Sequence, residues 1–456
     1  MDKIITMRGR KRIIPLWFAL SATMAAAACS GAGGGGSTDA GGNVTLNVAV
    51  VSNPDMERME KLGPEFEKAH PGVKLKFTTL DENTLRDKLS QDVATKSGLF
   101  DVVMAGPVEL PTWATNGWIA SVQDQATKSS SYDLNDIIPS VREALSKDGQ
   151  LYAVPFYAES SFTMYRKDLF EKARLTMPEQ PTWDDIARFA AKLNTPTTAG
   201  ICLRGQAGWG ANMSAFLTAA HSFGARIYDA NYQAQFNTPQ WKKAATTYIE
   251  TVKNYGEKGA SSASFPECLS AFSSGKAAMW YDATVAASAV TDPSSSKVAK
   301  NVGFALAPTG GEVTGGWLWS WALAQVKTSK HPDAAWDFMS WATSKDYVKL
   351  VGDRFGANLI PPGTRQSTYD LPEYQKAASA YAELTLKGIQ GAKTTLPNAA
   401  PKERSFYVDF PEWTDCGTTI SQFFTGAIAG KTTVDAALAG AQKAANTCAK
   451  DGGYQK

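Results

Sequence analysis

Histidine is scarce in this chain. Only three of its 456 residues are histidines: His70, His221 and His331. No Ser/His/Asp set can be read, and no Cys/His spacing suits a structural zinc ion. The five cysteines include no CxxC pair. Charge of one sign is missing too, with 46 Lys and Arg against 44 Asp and Glu. The first 28 residues hold five of the basic and one of the acidic residues, so the remainder carries 41 basic against 43 acidic, a net of −2. A nucleic-acid partner would want a concentrated basic face, which this balance does not offer. Long apolar runs are also absent. The run Ile13–Ala28 spans 16 residues, short of the roughly 20 that cross a bilayer as a helix.

That run is informative for what surrounds it. Arg8, Arg10, Lys11 and Arg12 precede it, and small residues, Cys29, Ser30 and a Gly-rich tether follow. A basic segment, a short apolar segment and small residues before a cut site form a secretory signal. Cys29 directly after four alanines is similar to a bacterial lipoprotein signal. Residues 1–28 are then the signal, residues 29–43 the tether, and Cys29 the acylated N-terminus, so the protein works outside the cytoplasm, tied to a membrane. Ala26 stands where such signals usually carry Leu. The alternative is an ordinary cleaved signal with an incidental cysteine.

Four cysteines remain, an even number in an oxidising compartment. Segments 411–429 and 433–449 read as helices around the loop at 430–433. An antiparallel hairpin turning there sets Cys416 and Cys448 at one height, as a disulfide requires. Cys202 and Cys268 are the leftover pair. Buried free thiols are the alternative.

The length suits two or three domains. Thirteen Trp and 15 Tyr fill large cores or line sites for ligands with C–H faces, sugars among them. From residue 44 onward the pattern is strand, helix, strand, helix, strand: 44–51, 55–70, 73–80, 83–98 and 101–106. This order predicts an α/β fold with mostly parallel sheets and helices on both faces. Its ligand crevice lies beyond the carboxyl ends of the strands. Further strands are expected at 151–156, 161–166, 200–204, 277–282, 302–307 and 317–326. Helices are expected at 182–194, 212–223, 239–255, 265–273, 333–344 and 372–386. Residues 389–405 read as an irregular surface loop.

Several segments together resemble the extracellular solute-binding proteins of ABC importers, in the group that includes the maltose-binding proteins. They are HPGVKL, FDVVMAG followed by LPTWATNGWI, LYAVPF, MYRKDLFEKA, PTWDDIARFAAKL, FSSGKAAMW, KHPDAAWDFMSWATS and TVDAALAGAQKAA. The resemblance covers residues 44–450. GICLRGQAGWG, AMWYDATVAAS, GGWLWSWALA and PPGTRQSTY look like the mannitol/sorbitol-binding branch. The resemblance implies two α/β lobes that close over a ligand, a closure read by the ABC permease in the membrane. It places lobe one at 44–155 and 309–352, and lobe two at 156–308 and 353–456. The crossings fall near Val154-Pro155, Ala307-Pro308 and Phe355–Asn358. The ligand implied is a small neutral polyol or sugar, held by a monomer without a cofactor or metal.

A polyol pocket needs paired acceptors, a forked donor and aromatic walls. Glu159 matches a ligand-contacting Glu of the maltose-binding pattern; a salt-bridged Glu at a strand start is the alternative. Glu109 sits where the wider family places a polar contact, though the residue type differs. Arg204 ends strand 200–204, and the Gly-rich loop behind it carries Trp209. That loop lacks the Lys-Ser/Thr of a phosphate-binding loop. Asp282 and Trp280 occupy positions where the family supplies polar and aromatic contacts, with core packing as the other reading of Trp280. Trp317, Trp319 and Trp321 alternate and share one strand face. Trp317 is placed nearest the cleft and Trp321 in the core. Trp413 matches a stacking position of the family. Asn53 and Asp81 follow the first two strands, where helix caps or turns explain them almost as well. Tyr157 and Asn358 lie at crossings. A competing function is a receptor for a mono- or oligosaccharide. A further one is a glycoside-active enzyme with Glu159 and Asp282 as its acid/base pair.

Overall fold

The computed structural model describes residues 43–311, 316–392 and 396–455. The signal, Cys29 and nearly all of the tether lie outside the described residues. No described helix is long and apolar enough to cross a membrane.

Strand β1 (Val44–Val51) is rich in Val, and its C-terminal half is buried on both faces. A strand covered on both sides belongs inside a parallel sheet. It pairs in parallel with β2 (Val73–Leu80) and β3 (Val102–Ala105). A small hairpin of β4 (Ser146–Lys147) and β5 (Gln150–Leu151) leads to β6 (Ala153–Glu159). The sheet is completed by β10 (Trp319–Gln325), antiparallel between β3 and β6. Four of its five strands therefore point one way. The second sheet has β7 (Ser161–Arg166) at its centre, between β8 (Met279–Ala283) and β9 (Val302–Leu306).

Both neighbours of β7 run antiparallel to it, so the expected mostly parallel arrangement does not describe this second sheet. The expected strand at 200–204 is not formed. Only Ala199 and Cys202 bridge, in parallel, to Ala277 and Trp280, while the Ile201 N–H turns away to the Tyr255 carbonyl. The expected helix at 372–386 is divided into Pro372–Ala377 and Ala382–Gly391. Pro372, which has no N–H to give, starts its helix at the first turn. The chain leaves the first sheet after Glu159 and enters the second at Ser161. The first crossing is thus at Ser160, later than Val154-Pro155.

Two caps fix what stands at the sheet's carboxyl edge. Asn53 accepts from the N–H groups of Asp55 and Met56 and starts α1 (Pro54–Ala69), with Pro54 in its first turn. Asp81 accepts from the Thr84 N–H and starts α2 (Glu82–Thr95). Helix α3 (Glu109–Thr115) follows β3.

Cys202 and Cys268 are bonded, with Cα atoms 5.5 Å apart. Cys416 and Cys448 are bonded at 6.0 Å and join helices Trp413–Ile428 and Val434–Asp451. This second bridge closes a separation of 32 residues. Removing it should cost about 2–4 kcal/mol, because the unfolded chain regains that loop's freedom. Urea unfolding of a Cys416→Ser/Cys448→Ser variant measures the loss; an unchanged midpoint would contradict it.

Candidate functional site

A cavity of about 190 Å³ lies beyond the carboxyl ends of β1 and β2. One side comes from the first sheet: Asn53, Asp81, Glu82, Tyr157, Glu159 and Trp321. The other comes from segments around the second: Arg204, Gln206, Phe265, Glu267 and Ala283. The strand period of two brings Tyr157 and Glu159 to one face of β6. The Tyr157 hydroxyl accepts from Asn53 Nδ2 at 2.9 Å, which leaves its proton for another acceptor. Burial, then the nearby Glu159, raises the Tyr157 pKa well above the usual phenol value.

Arg204 is the forked donor. Its Nε and Nη2 donate to the two carboxylate oxygens of Asp282 at 2.9 and 2.6 Å. Its Nη1 donates to the Gly210 carbonyl at 3.0 Å and stands 3.9 Å from Glu82 Oε1. Burial, the largest single influence, lowers the Arg204 pKa, but the charge and hydrogen bonds of Asp282 with the charges of Glu82 and Glu159 together outweigh it, and the net direction is upward. Asp282 is fully buried. It also accepts from Trp280 Nε1 at 3.1 Å and from the Ala283 N–H at 2.7 Å.

A second, smaller cavity adjoins the first. Trp209, Trp317, Trp319, Trp321 and Phe406 wall it, with Glu82, Arg86, Glu159 and Arg204 among its polar residues. The Trp319 ring meets Trp321 at 5.2 Å and Trp209 at 6.1 Å, both edge-on. Arg86 fills the space between them. Its guanidinium lies 4.4 Å from the Trp209 ring centroid and 5.1 Å from that of Trp321. Glu109 and Glu82 hold it at 3.2 and 3.0 Å. Phe406 is supported through its loop. The buried His221 sits 2.8 Å from the Ser405 carbonyl and 3.0 Å from Glu403 Oε1.

Of the residues expected at the site, Asn53, Asp81, Tyr157, Glu159 and Arg204 line the main cavity. Trp209, Trp317 and Trp319 line the second. Five expected contacts lie elsewhere. Asp282 and Trp280 sit beneath Arg204, outside both cavity walls. Asp282 is there because the guanidinium claims both its oxygens; Trp280 packs against Phe265 and Phe272. Glu109 is spent on Arg86 and on the Gly106 N–H. Trp413 is fully buried against Phe410. Asn358, in the turn Ala357–Leu359, gives its carbonyl to the Tyr381 hydroxyl. Trp321, expected in the core, lines both cavities.

Sequence reading missed Glu82, Arg86, Gln206 and Phe265. The first two carried a signal. They follow the Asp81 cap in the first turns of α2, four residues apart and on one face, at a strand's carboxyl end.

Two sheets that place polar and aromatic groups across one cleft define a protein of the two-lobed binding-protein fold class. The chain belongs to the bacterial extracellular solute-binding protein family, whose model matches residues 52–349. That family works outside the cytoplasm. A mannitol-binding protein from Pseudomonas aeruginosa is 46% identical over 424 residues, 91% of this chain and 96% of the relative. The crystal structure of an ABC transporter solute-binding protein from Agrobacterium vitis with bound D-mannitol is 49% identical, with a TM-score of 0.88; the match covers 90% of this chain and 100% of that one. A counterpart from Agrobacterium radiobacter in complex with ribitol is 26% identical, with a TM-score of 0.78, covering 89% and 98%.

Proposed function

We propose that this protein is the receptor of an ABC importer for an acyclic polyol of the mannitol or sorbitol type. It captures the ligand between its lobes and delivers it to the permease. The observation that carries the reading is the main cavity's layout. Glu159 Oε2 is buried with no hydrogen-bond partner. The Tyr157 hydroxyl keeps a proton to give. Arg204 stands beside them, and tryptophans close one wall. A flexible chain of hydroxyls loses torsional freedom on binding and needs such a density of donors and acceptors. The mannitol and ribitol relatives support the same ligand class.

The protein carries out no chemistry in this reading. Asp282 accepts from Arg204 with both oxygens, so it is not free to pair with Glu159 in glycoside cleavage. Lobe one comprises about 44–159 and 309–352, and lobe two about 161–308 and 353–456. Cys29 carries the lipid that tethers the monomer to the membrane's outer face.

Thermal unfolding of the mature chain against alditols, monosaccharides and disaccharides tests the reading. A hexitol should raise the midpoint in a concentration-dependent way, because it binds the folded state alone. A shift with a disaccharide only would refute the polyol assignment.

A further inference from the structure

The charges around the main cavity do not balance, and the imbalance falls on one residue. Arg204 is held by Asp282. Arg86 is held by Glu82 and Glu109. Among the described residues, no Lys, Arg or His nitrogen lies within ion-pair distance of Glu159. Its side chain is only about 6% exposed, it lines both cavities, and its Oε2 lacks a hydrogen-bond partner. An ionised carboxylate in that position would be a buried charge with no cation in ion-pair contact and without a full set of donors, which is costly.

We propose that Glu159 is a neutral carboxylic acid in the closed cleft, so that ligand capture takes one proton from solution onto its carboxylate. This rests on the polyol-receptor reading above and adds a proton to it. In the open protein the carboxyl meets water and ionises as an ordinary Glu does. On closure it loses that water.

The groups facing it point the same way. Burial is the largest influence and raises its pKa. Arg204 opposes this, while Asp282 from β8, Glu82 from α2 and Asp55 from α1 reinforce it; the outcome is a pKa well above the usual 4.5. Tyr157, two residues before it on β6, is itself pushed upward. The other wall carboxylates are occupied elsewhere: Asp81 caps α2 through the Thr84 N–H, and Glu267 accepts from the Ser264 N–H. A neutral acid offers one O–H donor and one carbonyl acceptor, which suits a hydroxyl that both gives and takes. It does not suit an ammonium group, so amino-alditols should be rejected.

The sign follows from linkage. The closed state holds the extra proton, so affinity is greatest at low pH. It falls as pH rises above the open carboxyl's ordinary value, by up to about tenfold per unit. Calorimetric titration of the wild type with D-mannitol, in two buffers of different ionisation enthalpy, should show uptake of about one proton. Glu159→Gln copies the neutral acid. Whatever affinity for D-mannitol it keeps should show a flat pH profile and no proton uptake. A flat wild-type profile without uptake, or affinity that rises with pH, would overturn the proposal. Should D-mannitol fail to bind the wild type at all, the receptor reading falls. In the wild type saturated with D-mannitol, the ¹³C carboxyl resonance that Glu159→Gln removes should titrate well above the ordinary Glu range, and in the ligand-free protein within it; an ordinary midpoint in the complex overturns the neutral acid. The thermal midpoint of Glu159→Gln shows that the variant is folded.

Discussion

Arg204→Ala is expected to abolish polyol binding and to destabilise the fold by about 3–5 kcal/mol. That is the usual cost of removing one partner of a buried ion pair. The reason is the depth of the pair. Arg204 is 5% exposed and Asp282 fully buried. With the guanidinium gone, Asp282 keeps only the Trp280 and Ala283 N–H groups, and a charge is left uncompensated. Asp282→Ala should behave alike, although Asp282 does not face the cavity, because it leaves the guanidinium only the Gly210 carbonyl and the more distant Glu82. Arg204→Lys should lose most of the binding too, since an ammonium cannot fork to two oxygens. Replacing both residues with apolar ones of similar volume separates the two effects. Stability should recover substantially, as it does for many buried pairs, while binding stays lost. Calorimetric titration with a hexitol and urea unfolding measure both. Arg204→Ala binding at wild-type affinity would show that the fork has no part in recognition.

The same pair shows what a sequence reveals and where it stops. Arg204 and Asp282 are both legible as polar residues at the ends of apolar segments. Their bond spans 78 positions, and nothing local in either segment says that one is consumed in holding the other. Caps are different, because their geometry is local. Asn53 and Asp81 each follow a strand and precede a helix, and the two readings, cap and wall, are both true of them. Strand alternation placed Trp317, Trp319 and Trp321 on one face. Applied consistently it also brings Trp321 to the cavity, since the irregularity in β10 comes only after that residue. The second sheet's direction was less legible. Antiparallel and parallel strands share the same apolar runs, and the crossing from β6 to β7 at Ser160 has no break in composition to mark it. Phe406 had no signal at all, because its loop is positioned by the distant His221.

The other large effect is expected at Gly210, where the lobes meet. A Cβ built there would stand 2.7 Å from Cζ of Arg86 and closer still to its Nη1. A flexible arginine could normally swing aside, but this one cannot. Glu82 and Glu109 hold its nitrogens, and the Trp209, Trp319 and Trp321 rings surround its plane. Arg86 belongs to α2 beside the first sheet, whereas Trp209 and Gly210 follow the segment that bridges to β8. On the two-lobed reading proposed above the contact joins one lobe to the other, and opening the cleft would break it. Gly210→Ala should leave each half folded and tilt the balance toward an open form. Apparent affinity then falls by the fraction of molecules still able to close. An opening penalty of about 1.4–2.8 kcal/mol would weaken binding roughly 10- to 100-fold. Arg86→Ala removes the cation–π contacts yet also relieves the clash, so in the double variant the alanine at 210 should cost less than it does alone. That coupling is what a double-mutant cycle reads. At equal sub-saturating hexitol the radius of gyration of Gly210→Ala, from small-angle X-ray scattering, should exceed that of the wild type, and the two should converge at saturation. Equal radii with equal affinities would mean that the Arg86–Trp209 contact does not govern closure.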